Sequence, residues 1–148
     1  MNHPPSAILT EYLTDDSTKP FTAPVEELDW PLYMTSMPDG DNVEDDCGVV
    51  YDTVGEKLDR TMDGVVLFLW GIQIKLRASD YEVGWAKATE VQDLLETLHQ
   101  QSVTIDTTTY EVESMIESAP VISLGVEPGT KRRYLFTLNY LVSIRQTT

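Results

Sequence analysis

From Val66 to Leu76 every even position is apolar (Val66, Phe68, Trp70, Ile72, Ile74, Leu76), whereas the odd set begins Val65, Leu67, Leu69 and continues Gly71, Gln73, Lys75, Arg77. A period of two predicts a long strand. Its first half is apolar on both faces and its second half on one, so the strand is expected to leave a covered region and run towards solvent or a partner. Being in phase with four aliphatic neighbours assigns Phe68 and Trp70 to the core. Residues 134 to 144 repeat the device, with Tyr134, Phe136, Leu138, Tyr140, Val142 and Ile144 on one face and Thr137, Asn139 and Ser143 on the other. Shorter strands are predicted over 48 to 54 and 110 to 118, the latter showing Glu111, Glu113 and Glu117 outward before Ala119-Pro120, which should interrupt or bulge it. The run GVEPGTK, 125 to 131, reads as a hairpin loop.

One principal helix lies between these strands. Ser79 and Glu82 have capping-box spacing. At 100° per residue Tyr81, Trp85, Ala88, Val91, Leu94, Leu95 and Leu98 share a face opposite Glu82, Thr89, Glu90, Asp93 and Glu96. The helix should end near Gln100. The predicted fold class is α+β: a mainly antiparallel sheet with two long strands, one principal helix packed on it, and an irregular acidic N-terminal arm.

That arm is residues 1–46, and the core domain is 47–148. The arm holds six of the eight prolines, and eleven acids against one base, Lys19. Prolines leave room for one short helix, from Pro5 to about Leu13. Phe21, Trp30, Leu32 and Tyr33 are too apolar for a free tail, so they are the candidate anchor by which the arm docks on a neighbouring subunit or on another partner of the assembly.

Composition narrows the chemistry. Twenty-five acids against ten bases give a formal charge of −15, and the field this makes disfavours surface binding to nucleic acid or an anionic membrane. No apolar run reaches the length of a membrane span, and the first residues lack the basic and apolar segments of a signal peptide. The single Cys47 excludes an internal disulfide and a multi-thiolate metal site. Residues 38 to 47 look like a calcium loop only in composition, because ligand spacing, central glycine and closing glutamate do not fit. His3 and His99 are the only histidines, one in a proline-flanked terminus and one at a helix end, and neither offers a convincing base. No phosphate loop is present, and nothing selects a glycosidase pair among the many carboxylates. No cofactor, metal or catalytic residue is expected. Basic residues do collect: Lys75 and Arg77 end one long strand, and Lys131, Arg132 and Arg133 open the other. If the strands are antiparallel neighbours, both groups share one end of the sheet. Lys75, Arg77, Arg132 and Arg133 are then a candidate subunit interface through complementary charge, with plain surface charge as the other reading.

The order of these elements resembles a known family. Val50-Tyr51-Asp52-Thr53-Val54-Gly55, Arg60, Asp63-Gly64, the strand ending Gly71 to Arg77, Asp80-Tyr81 and Trp85-Ala86-Lys87-Ala88, and the closing strand from Arg133 to Arg145 resemble tail terminator proteins of long-tailed bacteriophages, also described as minor capsid or tail completion proteins. The resemblance covers roughly residues 47 to 148, and each motif is weak alone. It implies a structural virion protein, not an enzyme. Six copies would form a ring at the head-tail junction, assembled in the host cytoplasm, that caps the tail tube, stops its elongation and meets a neck or head-completion protein. DNA would pass through without specific binding, which makes Asp41, Glu44, Asp45 and Asp46, or Glu111, Glu113 and Glu117, candidates for facing the channel. Another head-to-tail connector is the nearest alternative, and an acidic DNA mimic a more distant one.

Overall fold

The alternating segments do form strands in a computed structural model, which describes residues 1–24, 29–40, 43–64, 66–129 and 131–147. In chain order the elements are α1 (Pro5–Thr14), β1 (Leu32–Met34), β2 (Cys47–Arg60), β3 (Val66–Ala78), α2 (Tyr81–Glu96), β4 (His99–Ile105), β5 (Thr108–Val126) and β6 (Tyr134–Gln146). They make one six-stranded sheet, ordered β1-β2-β3-β6-β5-β4, with two helices, a mixed α+β fold. All neighbouring strands are antiparallel except the short edge pair β1 and β2. Four strands are long rather than two, because β2 and β5 run 14 and 19 residues, well past the segments where their side chains alternate.

Both helices pack on one face. Ile72, Ile74 and Leu76 of β3 and Phe136, Leu138, Tyr140 and Val142 of β6 point into a core with Ala88, Val91 and Leu95 of α2. α2 is turned relative to the sequence expectation. Its buried line is Gly84, Ala88, Val91 and Leu95, while Tyr81 and Trp85 stay about half exposed at the rim, their rings against Phe136. Gly84 sets this rotation, since a Cβ there would collide with the Phe136 ring and the Ala78 methyl. The cap is Asp80, which accepts from the Glu82 and Val83 amides. Ser79, expected in that role, instead donates its amide and hydroxyl to Asp46 at 2.8 and 3.1 Å. α2 stops at Glu96, four residues early, because β4 begins at His99.

The N-terminal third is not an arm. Ile8, Leu9 and Leu13 of α1, with Phe21 and Leu32, are at most 1% exposed and belong to the same core as the sheet. α1 touches β1 and β2 at one margin of the sheet and β4 at the other, so the sheet curls around it. Ser6 fastens the start of α1 by donating its amide and hydroxyl to Asp52 of β2. The proline count concealed this, since two of those prolines sit at the helix start, where a missing amide costs nothing.

Candidate subunit interface

β3 and β6 are antiparallel neighbours, with Arg77 beside Leu135 and Ala78 beside Tyr134, so the expected basic groups do share one end of the sheet. Two of them are nevertheless used inside the protomer. Arg77 is 1% exposed and donates to the carbonyls of Pro38, Glu44 and Asp45, with Glu127 3.9 Å away. Arg133 is 3% exposed and donates to Asp45 Oδ1 at 2.9 Å and to the Gly40 carbonyl at 2.7 Å, with Glu127 at 3.6 Å. These guanidiniums staple the acidic loop before β2 onto the sheet end. Arg77 and Arg133 are thus withdrawn from the candidate interface, whereas Lys75 is half-buried and Arg132 exposed.

The same staple accounts for part of the acidic set. Burial works against charge on Asp45, but hydrogen bonds from Arg133 and Lys131 outweigh it and hold the carboxyl below its usual value. Asp46 caps the Ser79 turn. Glu44 is exposed, and Asp41 lies outside the described residues. Behind the loop, burial pushes the Cys47 thiol up to about 11, with Arg77 and Arg133 opposing, which leaves it protonated and inert near neutrality.

Glu111, Glu113 and Glu117 do not share a face. The register of β5 on β6 shifts between Val112 and Ser114, and one extra residue exchanges inside and outside as far as Glu117, beyond which the register shifts again. Glu111 and Glu113 lie on the face away from the helices, where Arg145 binds both, at 2.6 and 3.5 Å, and Ser143 donates to Glu113. Glu117 lies on the helix side and accepts from Gln92 of α2 at 2.8 Å. A period-two reading cannot see such a shift.

The expected arm anchor is internal too. Phe21 and Leu32 crowd Gly48, where a Cβ would meet them at 2.8 and 3.0 Å. Trp30 packs against the core with Lys87 Nζ 5.2 Å from its ring centroid, and Tyr33 is half-buried. These four hold residues 20–24 and 29–34 on their own chain. His3 Nδ1 lies 2.7 Å from Tyr110 Oη, and His99 Nδ1 lies 3.1 Å from the Glu113 carbonyl oxygen, both packing contacts.

What leaves the core is the β2–β3 hairpin. β6 pairs with β3 only from Ala78 back to Trp70, so residues 66–69 of β3 pair with β2 alone. β2 bulges between Thr53 and Glu56, opposite Gly71, and the hairpin bends off the sheet there. Gly55 and Gly71 allow the bend. A Cβ on Gly55 would strike the Leu69 carbonyl oxygen, and one on Gly71 the Val54 carbonyl oxygen. Beyond it Val54 is 92% exposed, and Leu58, Met62, Val66, Leu67 and Phe68 are exposed as well.

This reverses the expectation for β3. The half apolar on both faces is the exposed half, and Gly71 to Ala78 is the covered half. Phe68, assigned to the core by phase, packs tilted against Trp70, ring centroids 4.7 Å apart, and is exposed. Alternation reports which face a side chain takes, not whether anything covers that face. Sequence reasoning therefore missed Val54, Leu58 and Met62. The usable signal was an apolar run on both faces beside the Asp63-Gly64 turn, with no second run long enough to cover it.

Comparison with protein-family models finds no match, and comparison with curated proteins finds none either.

Proposed function

We propose that the chain is a structural subunit of a long-tailed phage, one of six that form a ring on the end of the tail tube, stop its growth and join the tail to the head or neck. Residues 47 to 148 supply the resemblance behind this reading. The observation that carries it is the projecting hairpin, whose residues 66 to 69 are apolar on both faces and whose Val66, Leu67 and Phe68 stay exposed. A strand of that composition is stable in a finished particle only when another surface lies on it. An assembling subunit has this need, and a small enzyme does not.

In this reading the partners are further copies, the tail tube protein and a neck or head-completion protein, and the place of action is the head-tail junction of the virion. The chain acts by position and not by catalysis. DNA passes through the ring, and a formal charge of −15 per copy disfavours phosphate contacts along the way. Glu111 and Glu113, on the sheet face opposite the helices, are the pair proposed to face the channel, and exposed Glu44 is a further candidate.

Native mass spectrometry of the protein mixed with tail tube tests the reading. The expected species contains six copies of the 16.7 kDa chain, about 100 kDa in all. A dimer, or a ring of another order, would overturn the hexamer. Capture of a neck component with no affinity for tube would move the chain to another connector position.

A further inference from the structure

Two stretches of strand edge have no partner among the described residues. On β2, β1 pairs only with Gly48, Val49 and Val50, so the outer edge from Thr53 to Arg60 is open. On β5, β4 pairs no further than Ser114, so the edge from Met115 to Val126 is open. Both are long, and both carry exposed apolar side chains: Val54 and Leu58 on the first, Ile116, Ile122 and Leu124 on the second. Folded proteins protect such edges, because a row of free amides and carbonyls recruits another strand.

The two edges are complementary in direction. Each step from β2 through β3 and β6 to β5 is antiparallel, so β5 runs opposite to β2. When a second copy continues the sheet in the same orientation, its β2 therefore lies antiparallel to β5 of the first, as every long pair within the sheet already does. They are complementary in charge as well. Lys57 and Arg60 on the hairpin have no carboxylate within ion-pair distance among the described residues, which they share with Lys19, Lys75 and Arg132. Beside the open edge of β5, α2 brings Asp93 and Glu96 near Glu117. Their charges, after burial, push up the Tyr140 hydroxyl they surround.

We infer that the β2–β3 hairpin of one copy docks along the open β5 edge of a second copy, pairing the outer edge of β2 with β5 and setting Lys57 and Arg60 against Asp93, Glu96 and Glu117. The contact is heterologous, joining two different surfaces, so each copy offers one of each and the arrangement repeats. The open edges sit at opposite ends of the sheet, so successive copies are offset along the strands and the strands tilt against the assembly axis, as in a closed barrel. This deepens the ring reading and rests on it only for closure at a fixed number of copies.

Cross-linking tests it on the full chain, and buried Cys47 leaves the background low. Leu58→Cys and Ile122→Cys are prepared separately, concentrated in high salt to screen the repulsion between copies, and treated with a short bifunctional thiol reagent alone and mixed. The expected result is a covalent dimer in the mixture, at least tenfold more abundant than in either variant alone. Lys57→Glu with Arg60→Glu should lower that yield at least tenfold at low salt, with an unchanged circular dichroism spectrum. A Leu58→Cys dimer forming as readily alone would show hairpin-to-hairpin pairing and overturn the proposal, as would the absence of any cross-link. The mass of the assembled species separates the two readings. Six-copy rings without the mixed cross-link sink the hairpin contact and leave the ring, whereas the cross-link in open chains or other orders keeps the contact and sinks the ring.

Discussion

Arg133 Nε donates to Asp45 Oδ1 at 2.9 Å, joining residues 88 positions apart and pinning the acidic loop before β2 to the start of β6. A cation that looks like surface charge in the sequence is a structural fastener in the fold. Arg132, its neighbour, is exposed.

Adjacent arginines should accordingly respond differently to charge reversal. Arg133→Glu sets a carboxylate among Asp45, Glu127 and the Gly40 carbonyl and should cost about 3 kcal/mol, the lower end for breaking a buried pair because Asp45 keeps 39% of its side chain exposed. Arg132→Glu should change stability by less than about 0.5 kcal/mol. Urea unfolding followed by circular dichroism distinguishes them, and equal losses would show that the Arg133 contacts contribute little.

Acid should loosen the same loop. The Asp45 carboxyl is held below its unfolded value near 3.8, so the contact stabilises the fold above that pH and is lost as pH falls through the lower folded value. Stability measured from pH 5 downward should decline, and Asp45→Asn should flatten part of that slope. An Asn variant with an unchanged acid slope would assign the decline to other carboxylates.

At the base of the hairpin, Gly71→Ala puts a methyl group against the Val54 carbonyl oxygen and the Thr53 hydroxyl, neither able to yield without moving the bulge. The expected loss is about 1–3 kcal/mol, the usual cost of overpacking. Leu58→Ala, farther out on the exposed hairpin, should leave the isolated protomer's melting temperature almost unchanged. Equal melting temperatures for Gly71→Ala and the wild type would mean that the bend can open to admit a side chain.

Leu9 of α1 is fully buried, and Leu9→Ala should destabilise the whole domain by about 2–5 kcal/mol. A chain beginning at Asp46 should lack a closed core and be recovered insoluble. Soluble, cooperative unfolding of that truncation would restore the N-terminal third to the status of an appendage.

The faces of β3 and β6 were legible in the sequence because Ile72, Ile74, Leu76, Phe136, Leu138 and Tyr140 keep strict alternation where α2 covers them. The start of α1 was legible from Pro5. What stayed hidden depends on distant residues. Arg77 announces a charge, but its partners are carbonyls more than thirty positions away, and a carbonyl carries no residue-type signature. Glu117 changed sides because one residue was added to the register near Glu113, an event that leaves composition and local pattern intact. The exposed half of β3 was assigned to the interior because an apolar run specifies a wish for cover, not which molecule provides it.

The curl of the sheet around α1 also fixes an order of events. α1 is synthesised before β2 and β4, which enclose it, and β4 reaches the rest of the sheet only through β5 and β6, whose last residue is Gln146. At about 5–20 residues per second, Ile8, Leu9 and Leu13 wait roughly 7–27 seconds for their enclosure to be synthesised. The closing step joins α1 to β4 across about 90 intervening residues, a separation that makes it slow. During that interval the apolar side of the nascent helix is open to whatever chaperone attends the tunnel exit, so the yield of folded chain is set there.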